Sequence, residues 1–198
     1  MYWIVFDYGE VISRRTQALP DLAAVLGADP IEFEAAYWSS RDGYDRGSTD
    51  LEYWSAVGRQ LGSTVDEKTA DRLTGIDTNG WLEIEQSTMD LLADLRSRDT
   101  RLALLSNAPA SFGRLVEKME WSSLFDHMLF SGDLGVAKPD AEIWAALLQR
   151  LDAQPGDCVF FDDRQINIDG AVAYGLTGRL WSTAEDARTH LTALRVLD

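Results

Sequence analysis

The sequence has 198 residues, 45% of them hydrophobic, enough to bury one substantial core together with a small accessory unit. Its formal net charge of −15 at pH 7, with a pI near 4.4, repels a phosphate backbone and an anionic lipid surface, which argues against nucleic-acid and membrane partners. The single cysteine, Cys158, excludes a disulfide within the chain, and no run approaches the ~18 apolar residues of a membrane span, so a cytoplasmic protein is expected.

In chain order, Tyr2 to Phe6 is wholly apolar and mostly β-branched or aromatic, the pattern of a strand buried on both faces, and it ends at Asp7. From about Ser13 to Glu85 apolar residues recur at helical spacing, as in Phe33-Ala36-Tyr37 and Tyr53-Trp54-Val57-Leu61. Gly43, Gly47, Gly58 and Gly62 should punctuate this stretch into short helices, and Ser48-Thr49-Asp50 offers N-caps ahead of Leu51 to Leu61. Trp38, Trp54 and Trp81 are expected in its core. An amphipathic helix over Ser87 to Arg98 leads into a second buried strand, Leu102 to Leu105, which stops at Ser106-Asn107-Ala108-Pro109 before a helix from about Ser111. His127 enters a further strand, a helix spans Ala141 to Leu151, and a strand over Val159 to Phe161 stops at Asp162-Asp163 before a helix from Ile166 to Tyr174. His190 falls on a C-terminal helix, and neither histidine suggests a Ser-His or metal-His site.

Strand and helix thus alternate in the manner of an α/β fold, a Rossmann-like doubly wound parallel sheet with an inserted, small, all-helical cap. The expected organisation is a catalytic core of residues 1–13 and 86–198 and a cap of residues 14–85. In such a sheet Asp7, Ser106 and Asp162-Asp163 converge on one crevice at the carboxyl ends of the strands. With Lys138 they supply a carboxylate nucleophile, acidic groups for a hard cation, and donors for phosphoryl oxygens. Lys138 is one of only three lysines among 18 basic residues, the others being Lys68 and Lys118.

Four short segments carry a resemblance to a known family. Phe6-Asp7-Tyr8-Gly9-Glu10-Val11-Ile12 resembles the first motif of the haloacid dehalogenase superfamily in a variant whose second Asp is Gly. Leu104-Leu105-Ser106-Asn107 is similar to the second motif, Gly135-Val136-Ala137-Lys138-Pro139-Asp140 to the third, and Phe160-Phe161-Asp162-Asp163-Arg164-Gln165-Ile166-Asn167 to the fourth. The insert resembles the small cap of the branch containing the N-terminal phosphatase of soluble epoxide hydrolase and bacterial sugar-phosphate phosphatases.

The resemblance implies a Mg²⁺-dependent phosphatase acting on a small phosphorylated metabolite, with a sugar phosphate as the substrate class it suggests. It implies that Asp7 attacks phosphorus and forms an aspartyl-phosphate, that Asp7, the Gly9 carbonyl and Asp163 bind the metal directly, and that Asp162 acts in the outer shell. Ser106 and Lys138 would hold phosphoryl oxygens, Asn107 would contact substrate, and Asn167 would orient the fourth-motif loop. In the cap, Arg41, Tyr44 and Arg46 are open to two readings, substrate contact or packing. Where most relatives have an Asp that protonates the leaving oxygen, this chain has Gly9, and Glu10 on an extended strand would point the other way. That departure keeps open a non-catalytic binding or regulatory member of the fold; a metal-free 2-haloacid dehalogenase, which uses the same Asp nucleophile, is a second alternative, and Asp162-Asp163 argues against it. The oligomeric state is not legible in the sequence.

Overall fold

The computed structural model describes residues 2–198. Its elements run β1 Trp3–Phe6, then five helices, α1 Leu19–Leu26, α2 Pro30–Ser39, α3 Arg41–Asp45, α4 Asp50–Gln60 and α5 Glu67–Gly80. They continue with α6 Gln86–Ser97, β2 Arg101–Ser106, α7 Ala110–Val116, β3 His127–Phe130, α8 Ser131–Leu134 and α9 Ala141–Leu151. The chain closes with β4 Cys158–Asp162, α10 Gln165–Tyr174, β5 Thr177–Leu180 and α11 Ala184–Ala193. No helix among the described residues is long and apolar enough to cross a membrane.

The five strands form one parallel sheet in the order β3-β2-β1-β4-β5. Side chains alternate across the central strand, so Ile4 and Phe6 pack with α6 and α11 while Trp3 and Val5 pack with α9 and α10. All four residues of β1 are buried, which is why it reads as an unbroken apolar run. Strand β5 was not legible in the sequence. Gly178 and Arg179 interrupt its apolar pattern, and an edge strand has a ladder partner on one side only. The glycine is needed there, because a Cβ would come within 2.9 Å of Val172 Cγ2 and 3.0 Å of Ile168 Cγ2 on α10.

Helices α1 to α5 bury their own apolar cluster, centred on Leu22, Phe33, Tyr37, Tyr53, Trp54, Val57 and Leu73. Helix α4 starts at a capping box, with the Thr49 hydroxyl accepting from the Glu52 amide and Glu52 accepting from the Thr49 amide. Gly47 and Gly62 end helices in the left-handed region, as expected of punctuating glycines. Gly58 instead lies inside α4, where a Cβ would meet Val65 Cγ2 at 2.8 Å and Ser63 O at 2.9 Å, and Gly43 lies inside α3. Two antiparallel segments join the helical insert to the sheet: Ser13 bridges Ile84, the Arg14 amide donates to Glu83 O, and the Glu85 amide donates to Ile12 O.

Candidate active site

The chain leaves the sheet in the same direction at the ends of β1, β2 and β4, and this parallel register brings Asp7, Ser106 and the Asp162-Asp163 pair together. Asp7, Ser106 and Asp163 line a crevice of about 630 Å³ between sheet and insert, together with Gly9, Asn107 and Lys138, while Asp162 lies buried behind it. Carboxylate oxygens of Asp7, Asp162 and Asp163 lie within 4.8 Å of one another.

Lys138 is the cation that organises this cluster. Its ammonium is fully buried, 2.8 Å from Asp7 Oδ1 and 2.6 Å from Asp162 Oδ2, and it donates to Leu105 O at 2.9 Å. The loop that carries it is pinned by Asn107, whose amide donates to Lys138 O at 2.9 Å and accepts from the Lys138 amide at 2.8 Å. Asn107 therefore spends both ends of its side chain on the lysine backbone, a use the sequence did not suggest. Asp162 is fully buried, and its oxygens accept from Lys138, from the Arg164 amide and from Asn167 Nδ2. Asp163 next to it is half-buried and borders the crevice.

Burial pushes the Asp7 carboxyl up to about 7, a shift that Lys138 opposes and the Asp162 and Asp163 charges reinforce. Burial likewise raises Asp163 to about 6, with Asp162 and Glu10 adding to the effect. A crowded, oxygen-only donor set of this kind suits a hard divalent cation, which would relieve the mutual repulsion. The buried Asn167 Oδ1 also has no hydrogen-bond partner among the described residues, leaving an acceptor for the water of a hydrated ion. The residues present fit Mg²⁺.

The cap residues left between two readings, and the tryptophans and Glu10, take the following places. Tyr44 does not line the crevice: its ring is stacked on Tyr53 at 4.1 Å and its hydroxyl donates to Asp50, so it packs the insert. Arg41 borders the crevice, but its guanidinium donates to Asp45 at 2.7 Å and to the Tyr37 hydroxyl at 2.6 Å and lies 3.6 Å from Asp77. Arg46 pairs with Asp42 at 2.9 Å and, across the gap to the core, with Asp140. Trp54 is buried as expected, whereas Trp38 is 39% exposed and lines the crevice with the partly buried Trp81. Glu10 does not continue a strand: β1 ends at Phe6, and Glu10 sits in a turn at φ 56° and borders the crevice. The buried carboxylate Asp77, which holds Arg41 and Tyr37, had no sequence signal, because neither partner lies within a helical turn of it. The Arg41 to Asp45 pair was legible as an i,i+4 spacing.

The model of the haloacid dehalogenase-like hydrolases matches residues 4–175. A sesquiterpene phosphatase, astK, of Aspergillus oryzae is 26% identical over 178 residues, covering 88% of this chain and 83% of that protein. An (S)-2-haloacid dehalogenase of a Pseudomonas species is 25% identical over 182 residues, covering 88% of this chain and 77% of that protein. A haloacid dehalogenase family enzyme of Bacteroides thetaiotaomicron, solved with magnesium and inorganic phosphate, has the same fold, with a TM-score of 0.69 at 20% identity over 92% of this chain and 95% of that one. With its parallel sheet, its helical insert and a family match across most of its length, the chain belongs to the haloacid dehalogenase-like hydrolases.

Proposed function

We propose that this phosphoric monoester hydrolase is Mg²⁺-dependent, works through an aspartyl-phosphate on Asp7, and acts on a small phosphorylated metabolite in the cytoplasm. The observation that carries the reading is the buried Lys138 ammonium bridging Asp7 and Asp162 beside the more open Asp163. The Asp7 carboxylate attacks phosphorus as the P–O bond to the leaving group breaks, the departing alkoxide taking a proton from water; water then attacks the acyl phosphate, releasing inorganic phosphate and returning the Asp7 carboxylate. Asp7, Asp163 and the Gly9 carbonyl would hold the cation directly and Asp162 at one remove. When bound, the cation supplies positive charge for the phosphoryl oxygens and orients Asp7. Ser106 would donate to a phosphoryl oxygen, Lys138 would add its positive charge and share the N–H now directed at Asp7 with the phosphoryl group, and Asn107 acts through Lys138 by fixing its backbone. Residues 14–85 serve as a cap that shields the crevice from bulk water, hinged where Ser13 meets Ile84.

Asp163 at the crevice wall weighs against the dehalogenase reading, because an added carboxylate repels a carboxylate substrate unless a cation neutralises it. The testing experiment is a screen of phosphate monoesters and 2-haloacids with Mg²⁺ and with EDTA. The expected result is Mg²⁺-dependent phosphate release through a hydroxylamine-sensitive phosphoenzyme. Chloride release in EDTA, or phosphate release indifferent to the chelator, overturns it.

A further inference from the structure

The cap's charged groups at the crevice are nearly all engaged with one another. Arg41 is held by Asp45, Asp77 and Tyr37, and Arg46 by Asp42 and Asp140. Asp77 accepts from the Tyr37 hydroxyl at 2.7 Å, and the Asn107 amide is spent on the Lys138 backbone. A polyhydroxylated leaving group entering here would give up water and gain few partners from the cap, the open polar side chains Glu10 and Arg164 lying on the core side, which is unfavourable for each hydroxyl left unpaired.

What the crevice offers instead is aromatic and aliphatic surface. Trp38, on the cap, is the tryptophan with more than a third of its surface in water among the described residues, and Ile166, on the core, is 55% exposed. Both line the crevice. Trp81 completes the wall, its ring 6.4 Å from that of Trp38 at an interplanar angle of 81°. Its indole nitrogen is already engaged, donating to the Tyr37 hydroxyl at 3.3 Å, so it presents carbon. Trp81 Cζ3 lies only 3.8 Å from where a Cβ on Gly9 would stand, which sets the aromatic wall two residues from Asp7. Large apolar groups left in water inside a crevice mark surface that a ligand covers.

We propose that the leaving group of the substrate is apolar and planar, and that Trp38, Trp81 and Ile166 cover it; this rests on the phosphatase reading above. The sugar phosphate suggested by the resemblance is then a poor substrate. Discrimination comes from desolvation and ring contact rather than from hydrogen bonds, so it shows as affinity for the group attached to phosphorus.

The test compares benzyl phosphate with glucose 6-phosphate, both esters of primary alcohols, so that the two differ mainly in the surface they present. The ratio of their kcat/KM values should favour benzyl phosphate and fall about 5–10-fold in Trp38→Ala. Trp38→Phe should retain most of it. Ile31→Ser, which alters an 81% exposed residue outside the crevice, should leave the ratio unchanged. Alongside, calorimetric titration with benzylphosphonate and methylphosphonate in the presence of Mg²⁺ reads binding without turnover. Tighter binding of the benzyl compound, lost in Trp38→Ala, supports the inference. Glucose 6-phosphate turned over as well as benzyl phosphate, or a ratio untouched by Trp38→Ala, overturns it. If no phosphate ester is hydrolysed the phosphatase reading fails, and the titration still decides: equal affinity for the two phosphonates removes the aromatic wall from ligand binding.

Discussion

Lys138 Nζ lies 2.8 Å from Asp7 Oδ1 with no exposed side-chain surface, so the one lysine lining the crevice among the described residues is committed to Asp7 at the crevice wall and to Asp162 buried behind it. A buried ammonium held by two carboxylates leaves uncompensated buried charge when it is removed. Lys138→Met is expected to lower unfolding stability by about 3–5 kcal/mol in EDTA, read from urea denaturation. Equal stability of variant and wild type would show that Asp7 and Asp162 take up protons without cost when the lysine leaves.

Asp7→Asn is expected to reduce turnover to below a tenth of wild type, because the amide oxygen is a poor nucleophile. A smaller loss, under ~1.4 kcal/mol in activation free energy, removes Asp7 from its proposed role. Asp163→Asn should raise the Mg²⁺ concentration giving half-maximal activity, and an unchanged Mg²⁺ titration would exclude it as a ligand.

Gly9 stands where the resemblance to the family implies a proton-donating Asp, and general acid catalysis is typically worth about 10²–10⁴-fold. Room exists for a side chain: the nearest atom to a Cβ at Gly9 is Trp81 Cζ3 at 3.8 Å, and the backbone is not in the left-handed region. Gly9→Asp should therefore fold and speed hydrolysis of alkyl phosphates more than of para-nitrophenyl phosphate. The check is log kcat/KM plotted against leaving-group pKa, steep for the wild type and shallower for the variant. A flat wild-type plot means that Glu10, which borders the crevice, or a water already supplies the proton.

The cap meets the core through the Arg46 to Asp140 ion pair and through Ser131, whose hydroxyl donates to Asp45 O at 2.5 Å. Asp140 lies two residues beyond Lys138, so the pair ties cap position to the lysine loop. Arg46→Ala should lower kcat/KM about 3–10-fold while changing stability by less than ~1 kcal/mol, since the pair is partly exposed. A stability loss with unchanged kinetics would make the pair structural only.

Burial pushes the Cys158 thiol up to about 11, and the residue has no exposed surface. Iodoacetamide at pH 8 should leave the folded protein unmodified and alkylate it fully in denaturant, as mass spectrometry would show. Modification under native conditions at the rate of a free thiol would place local opening at β4.

How much was readable in advance follows from which interactions are local. Strands β1, β2 and β4 are buried on both faces, so each is an unbroken apolar run ending in a polar residue, and the order of those ends along the chain marked the crevice residues before any contact was known. Helix spacing exposed the insert for the same reason, because an apolar stripe repeats within one element. Strand β5 escaped because an edge strand tolerates Gly178 and Arg179. The sequence by itself thus determined the fold class, the helical insert, the acidic groups at the ends of β1 and β4 and the lysine of the loop before α9. Only the tertiary structure decided that Asn107 clamps Lys138, that Tyr44 packs inside the insert, that Asp77 holds Arg41, and that Trp38 faces the crevice rather than the core. Each of these depends on partners 9 to 36 residues away in sequence or on which side of a short helix meets the sheet, and one-dimensional periodicity carries no information about either.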